Sequence, residues 1–263
     1  MDKLQEIMAW KRQEVAKRLR PVRDAELSRF CPADHPHHFE RALRREHGLA
    51  IISEIKRRSP SAGAIAEERD SSEQARLYYN AGTDAISVLT DEKYFGGSIQ
   101  DLWNVNDLLL NRPDRPPTLR KDFFVDRLQV LEAAEAGAGC ILIIVRALSN
   151  DEMNDLFEAA NMAGLDAIFE VHEEHEVDRA LNCGARIIGI NNRDLTRFVT
   201  DLATSEAIIP ELPESCIAIS ESGIHSAEDA KRAFACGADA ILVGEALMKM
   251  KEPEPFIRAI HDF

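Results

Sequence analysis

Five stretches of this chain can be laid over one another: Asn80-Ala-Gly-Thr-Asp-Ala-Ile-Ser-Val, Glu135-Ala-Gly-Ala-Gly-Cys-Ile-Leu-Ile, Met162-Ala-Gly-Leu-Asp-Ala-Ile-Phe-Glu, Asn182-Cys-Gly-Ala-Arg-Ile-Ile-Gly-Ile and Ala235-Cys-Gly-Ala-Asp-Ala-Ile-Leu-Val. Each passes from a small residue through Gly and a short step into an apolar, β-branched run. The Gly suits the left-handed end of a helix, and the run after it suits a buried strand. The aligned glycines, Gly82, Gly137, Gly164, Gly184 and Gly237, are 55, 27, 20 and 53 residues apart. Those intervals correspond to one or two units of about 27 residues, the size of a βα module.

Outward from these stretches, the same pattern predicts eight strands, at 50–55, 85–89, 117–121, 140–145, 166–170, 186–190, 216–220 and 240–243. Amphipathic helices fall between them, for example from Asp126 to Ala136 and from Asp151 to Ala163. Nearly all-apolar strands that alternate with helices require a parallel sheet covered on its outer face. Eight such units predict an α/β protein of the (β/α)8 TIM-barrel class. A doubly wound open sheet is the alternative, but it would normally open with a Gly-rich phosphate turn. Here the first strand runs into Lys56-Arg-Arg-Ser-Pro-Ser61.

Residues 1–48 lie outside the repeat. Leu4, Ile7, Met8, Lys11, Val15 and Leu19 are spaced as one stripe of a helix, and His38 to Arg45 reads as another helix. A core that small does not fold alone, so the segment is expected to be a helical extension packed on a barrel of residues 49–263, not a separate domain.

Composition bounds the partners. With 45% hydrophobic and 30% charged residues, the 263-residue chain is globular in balance. Its 32 Lys plus Arg against 46 Asp plus Glu give a net charge of −14, which argues against nucleic acid as a partner. No apolar run reaches the length of a membrane span, and the N-terminus lacks the basic start and apolar stretch of a secretory signal. Cys31, Cys140, Cys183, Cys216 and Cys236 form an odd set without a C-x-x-C pair, as expected of reduced thiols in the cytoplasm.

In such a barrel the functional residues belong at the carboxyl ends of the strands. Polar residues at those ends are Glu54 and Lys56, then Lys121, Glu170, Asn191, and Glu221 with Ser222. Two lysines and several carboxylates at one mouth make a proton-transfer set. Crowding and desolvation are expected to lower a lysine pKa towards neutrality and to raise a carboxylate. The competing reading is a set of barrel-lining ion pairs that merely neutralise one another.

Ser222-Gly223-Ile224 and Val243-Gly244-Glu245 follow the last two strands, each ahead of a helix, at Ser226 and Glu245. Both helix N-termini are expected to face one anion, which predicts a phosphorylated ligand. His35, His37 and His38 read as surface residues, with no carboxylate or Cys at ligand spacing. His172-Glu-Glu-His175 is not H-E-x-x-H, so no metal is expected. Neither G-x-G-x-x-G nor a Walker loop occurs, and no cofactor is implied.

At these positions the sequence resembles the indole-3-glycerol phosphate synthase family. The likeness runs through Ile52-Ser-Glu-Ile-Lys-Arg-Arg-Ser-Pro-Ser61, Ser87-Val-Leu-Thr-Asp-Glu-Lys-Tyr-Phe-Gly-Gly-Ser98, Leu119-Arg-Lys-Asp-Phe123, Ile168-Phe-Glu170, Gly189-Ile-Asn-Asn-Arg-Asp-Leu195, Ser220-Glu-Ser-Gly-Ile224 and Leu242-Val-Gly-Glu-Ala-Leu-Met248. Seven motifs in order, all at strand ends, make it specific over nearly the whole chain.

The resemblance implies conversion of 1-(2-carboxyphenylamino)-1-deoxyribulose 5-phosphate to indole-3-glycerol phosphate. It casts Lys121 as general acid, Lys56 as holder of the substrate carboxylate, and Glu170 as proton acceptor or donor in dehydration. Glu54 and Asn191 would fix the lysines and the departing hydroxyl, with Ser222 and Glu221 in the same pocket. Ser59, Gly223, Gly244 and Glu245 would cradle phosphate, and Phe95 and Phe123 would enclose the aromatic ring. Arg193 is counted with the substrate-binding residues.

The resemblance also implies that the extension caps the barrel mouth. Arg58 and Ala62 depart from the family pattern in the first loop. A cytoplasmic monomer acting on a small anionic phosphorylated substrate is expected, without metal, cofactor, nucleic acid or membrane. An isomerase such as phosphoribosylanthranilate isomerase, or a non-catalytic phosphosugar-binding barrel, is the alternative. Finally, an anionic substrate on so acidic a chain predicts a locally positive mouth, built from Lys56, Arg57, Arg58, Lys121, Arg193 and the two helix N-termini.

Overall fold

The computed structural model describes residues 3–31, 37–60, 63–66, 68–194 and 199–263. Eight parallel strands close on themselves: β1 (Ala50–Ile55), β2 (Ala85–Leu89), β3 (Thr118–Lys121), β4 (Cys140–Ile144), β5 (Asp166–Val171), β6 (Ile187–Asn191), β7 (Ile217–Glu221) and β8 (Ala240–Val243). The seam between first and last strands sets Ala50 beside Ala240 and Ser53 beside Val243. The closed barrel excludes the open doubly wound sheet, and each strand lies within two residues of its predicted bounds.

The strands form where they do because both of their faces are buried. Of the 40 residues in β1 to β8, all but Lys121 and Asn191 are buried, and those two are half-buried at the mouth. Gly82, Gly137, Gly164, Gly184 and Gly237 all take φ between 72° and 95°. A Cβ is disfavoured there, so the repeat glycine terminates each helix and turns the chain into the next strand.

Thirteen α-helices are described. They are α1 (Lys3–Ala16), α2 (Asp24–Ser28), α3 (His38–Ala42), α4 (Ser71–Asn80), α5 (Glu92–Phe95), α6 (Ile99–Leu109), α7 (Arg127–Glu135), α8 (Asn150–Ala163), α9 (Glu174–Cys183), α10 (Ala203–Ile208), α11 (Ala227–Ala235), α12 (Glu245–Lys249) and α13 (Glu254–His261). Short polar residues start several of them. Asp70 accepts from Ser72 N and Glu73 N ahead of α4, and Ser149 forms a reciprocal cap with Glu152 ahead of α8.

The extension is shorter in helix than its sequence suggests. α1 stops at Ala16, so Leu19 falls outside the stripe and is 55% exposed; α3 ends at Ala42 instead of Arg45. Leu4, Ile7 and Met8 join the hydrophobic core of the barrel, and α2 packs against α7 and α8. A two-stranded hairpin, Arg58–Ser59 with Gly63–Ala64, follows β1 and was not foreseen.

Candidate active site

The strand ends converge on one cavity at the mouth. All fourteen positions singled out from sequence line it: Glu54, Lys56, Ser59, Phe95, Lys121, Phe123, Glu170, Asn191, Arg193, Glu221, Ser222, Gly223, Gly244 and Glu245. Lys3, Leu4 and Ile7 of α1 close it from above, together with Leu89 of β2 and Leu142 and Ile144 of β4. The N-terminal helix is thus part of the wall.

Lys121, at the end of β3, lines this cavity. Its Nζ is 3.3 Å from Glu170 Oε2 and makes a shorter contact to Glu221 Oε2. Burial alone would lower the Lys121 pKa, but Glu221, Glu170 and Glu54 outweigh it and hold the ammonium above its ordinary range. This corrects the expectation of a depressed lysine: carboxylates, not other cations, are its nearest neighbours.

The two carboxylates diverge. Burial raises Glu170, but Lys121, His172 and a hydrogen bond from Asn191 prevail and bring it below its usual value. Glu221 is pushed up to about 7 by burial and by Glu170, against the pull of Lys121. Its Oε1 has no hydrogen-bond partner among the described residues. The sequence expectation of a raised carboxylate therefore holds for Glu221 and fails for Glu170.

Lys56 and Glu54 form a second pair, at 2.6 Å, on the first strand's end. Phe95 and Phe123 stand together at one side of the cavity, with ring centroids 5.9 Å apart and planes tilted by 37°. Directly after Glu221, Ser222 (φ 66°) and Gly223 (φ 85°) take consecutive left-handed conformations. Strain of that kind at Ser222 persists only where its surroundings impose it.

Asn192 supplies that constraint. Its amide donates to Glu221 O at 3.0 Å, Ser222 O at 3.1 Å and Ser220 Oγ at 2.9 Å, while its oxygen accepts from Ser205 N at 3.0 Å. Sequence reading assigned Asn192 no role, because its partners sit on a different strand.

Two glycines hold space for acids. A Cβ on Gly189, in β6, would overlap the Glu221 carboxylate; one on Gly244 would overlap that of Glu54 and come within 3.0 Å of Lys56 Nζ. Register explains the first case: Gly189 lies beside Glu170, and Asn191 beside Glu221, so the carboxylate of Glu221 folds back over the bare position. Gly189 carried no signal beyond its oddity within an apolar strand.

The phosphate reading needs amendment. Residues 222–225 and 244–246 reach the cavity, but the first turn of α11 does not. Asp229 there already accepts from His225 N and Ser226 N, both between 2.9 and 3.0 Å, so those donors are spent. The loop at Gly223 and the start of α12 remain. Glu245 turns its carboxylate aside to Lys249, at 2.6 Å, which also keeps its pKa low.

The mouth is also less positive than expected. Arg57 grips Asp101 through two contacts of 2.6 and 2.8 Å, and Arg58 donates to the carbonyls of Glu92 and Lys93. Ala62 and His35 lie outside the described residues. His37 is not a bare surface side chain: its Nδ1 is 2.8 Å from Asp166 Oδ1, at the opposite end of the barrel. Glu40 completes a His37–Glu40–Asp166 set of potential ligand atoms. Arg186 already approaches this set, with Nη2 2.7 Å from His37 Nδ1. His172 is buried between Glu170 and Glu176, at 3.5 and 3.6 Å, whereas His175 is exposed, so the two do not form a site.

The sequence matches the indole-3-glycerol phosphate synthase family over residues 4–260. It is 55% identical over 258 residues to the indole-3-glycerol phosphate synthase of Opitutus terrae, covering 97% of each chain. With the enzyme of that name from Staphylococcus aureus (strain JH1) it shares 42% over 219 residues, covering 83% of this chain and 82% of that one. Among solved structures, 3-hexulose-6-phosphate synthase superposes with a TM-score of 0.64 at 14% identity, over 81% of this chain and 98% of the other, a likeness of fold alone. Family match, full-length relatives and barrel agree, and the chain belongs to the indole-3-glycerol phosphate synthase family.

Proposed function

We propose that this protein closes 1-(2-carboxyphenylamino)-1-deoxyribulose 5-phosphate to indole-3-glycerol phosphate, with release of CO2 and water, as a carboxy-lyase of tryptophan biosynthesis. The observation that carries the reading is Lys121, held between Glu170 and Glu221 on the floor of a pocket with an aromatic wall and two glycine turns at its rim.

The arene carbon that bears the carboxylate attacks the ketone carbon. The electron pair of the new bond comes from the ring, and Lys121 delivers a proton to the carbonyl oxygen, which becomes a hydroxyl. A lysine whose pKa is held high starts the cycle protonated, as this step requires. The tetrahedral ring carbon then breaks its bond to the carboxylate; CO2 leaves and the pair restores aromaticity. In the last step Glu170 takes the proton from the carbon beside nitrogen. The hydroxyl departs as water with a proton from an ammonium of the site, and the indole double bond forms. A depressed pKa keeps Glu170 ionised for that task.

Lys56, fixed by Glu54, binds the substrate carboxylate, and Asn191 orients Glu170. Phe95 and Phe123 flank the ring. Ser59, Arg193, Ser222 and the backbone at Gly223, Gly244 and Glu245 receive the phosphate, with Glu221 beneath. Residues 1–48 and the barrel act as one unit in this reading. The protein works as a monomer, in the cytoplasm.

The test is direct. Purified protein mixed with the carboxyphenylamino-deoxyribulose phosphate should develop indole fluorescence with time; a trace no different from buffer would sink the assignment.

A further inference from the structure

Lys11 belongs by spacing to the apolar stripe of α1, yet it carries a charge and is only 1% exposed. Its Nζ lies 2.9 Å from Asp91 Oδ2, 3.0 Å from Asp122 Oδ1 and 3.1 Å from Glu14 Oε2. Burial opposes the ammonium, but Asp122 and Asp91 more than restore it. A charge taken so far from water persists only with partners this close.

Each partner belongs to a segment that carries a residue of the cavity. Asp91 caps α5, where its Oδ1 accepts from Tyr94 N at 2.7 Å, and α5 ends on Phe95. Asp122 follows Lys121 directly, and its Oδ1 accepts from Phe123 N at 2.8 Å. The other oxygen of Asp122 accepts from Thr90 Oγ1 at 2.6 Å and from Arg120 at 3.1 Å, which ties the ends of β2 and β3 together. On the same face of α1, Ile7 and Leu4 stand one and two turns before Lys11 and reach the cavity.

We propose that Lys11 is a positioning residue for the reaction: its ammonium locks α1, α5 and the end of β3 to one another. It thereby sets Lys121 relative to the Phe95–Phe123 wall. The inference rests on the proposed synthase activity and assigns the extension a part in turnover through a single buried cation. Lys11 touches no reacting atom. It acts through Asp122, whose neighbour is the general acid, and through Asp91, whose helix presents one of the two rings.

Lys11→Met keeps the length and apolar contacts of the stem and removes only the charge; Lys11→Arg keeps the charge. Asp91→Asn is the milder break, because Asn still caps α5. Kinetic constants are measured with the full chain well below its melting temperature, with thermal unfolding followed alongside. Lys11→Met should lower kcat by about 10- to 100-fold, as expected of small misplacement around an acid, with KM changed by less than about threefold. Asp91→Asn should lower kcat by a smaller factor, and Lys11→Arg should recover part of the loss.

A Lys11→Met protein with a lower melting temperature but kcat within about twofold of the parent would make Lys11 a structural residue only and overturn the proposal. If Lys11→Met does not fold, Asp91→Asn decides by the same split between kcat and melting temperature. A parent enzyme without turnover refutes the synthase reading itself, an outcome separate from an active parent with insensitive variants.

Discussion

Lys121 and Lys11 are both lysines withdrawn from water, and both are surrounded by carboxylates that hold the ammonium charged. Beside Lys11, both oxygens of Asp122 are engaged. Asp122 accepts from Arg120, Thr90 and Phe123 N as well as from the lysine, and burial notwithstanding its pKa falls. Around Lys121 the accounts are left open. Glu221 keeps one oxygen without a hydrogen-bond partner among the described residues, its pKa rises to about 7, and the group lines a cavity. Burial and ion pairing are common to the two; what separates the proposed general acid from the proposed positioning lysine is the cavity that Lys121 and its glutamates line and Lys11 does not.

The largest effect should come from breaking the open cluster at its centre. Lys121→Ala is expected to lower kcat by about 10³-fold or more while leaving the circular dichroism spectrum unchanged, since general-acid contributions reach that size. A variant with near-parental kcat would remove Lys121 from the acid role.

Closing the open space comes next. Gly189→Ala places a methyl group where Glu221 Oε1 lies, so the carboxylate that holds Lys121 through its other oxygen has to shift. Overpacking of this kind costs about 1–3 kcal/mol of stability, and kcat should fall by about tenfold with it. If Glu221 had no part in positioning Lys121, stability would still fall but kcat would be unchanged, and chemical denaturation together with kcat reads both quantities.

The smallest expected change is a change of slope. Glu221 takes up its proton near pH 7 in the folded protein and near 4.5 when unexposed to the fold's field, so folding binds a proton between those values. Stability from this group is therefore full below about pH 4.5 and is lost as pH rises towards 7. Glu221→Gln should flatten that decline in urea-unfolding free energy between pH 5 and 7. It should also shift the limb of the kcat/KM profile near pH 7, where ionised Glu221 binds the Lys121 ammonium more tightly. An unaltered slope would place the raised proton affinity elsewhere in the cluster.

Much of the barrel was legible because its signals are local. A Gly at a helix end and an apolar run after it are neighbours in sequence, and strand-end polarity is read from the same few residues. The strand-end site residues were legible for that reason, Ser59, Phe95 and Phe123 were implied by the family resemblance, and all fourteen reach one cavity. Features that depend on distant partners were not. Lys11 looks like one more position in a helical stripe, since its carboxylates lie at 91 and 122. Gly189 is defined by a carboxylate that arrives from β7, and Asn192 by carbonyls of the same strand end. His37 looked solitary because Asp166 is 129 residues away. The pKa directions failed where charge count was used without geometry: two lysines near each other in a list are, in space, separated by glutamates.

The seam between β1 and β8 has a consequence for how the site comes into being. It pairs Ala50 with Ala240, positions 190 residues apart, and Asp84 bonds both to Ile51 N and to His261 near the far end of the barrel chain. Joining segments so remote is slow, because loop entropy is surrendered before the contacts repay it. Glu54 and Lys56 stand on one lip of that seam and Gly244 with Glu245 on the other. A growing polypeptide can therefore complete seven strands and still lack a working pocket, and activity should appear in a refolding experiment only with the slowest phase, when the last strand zips onto the first.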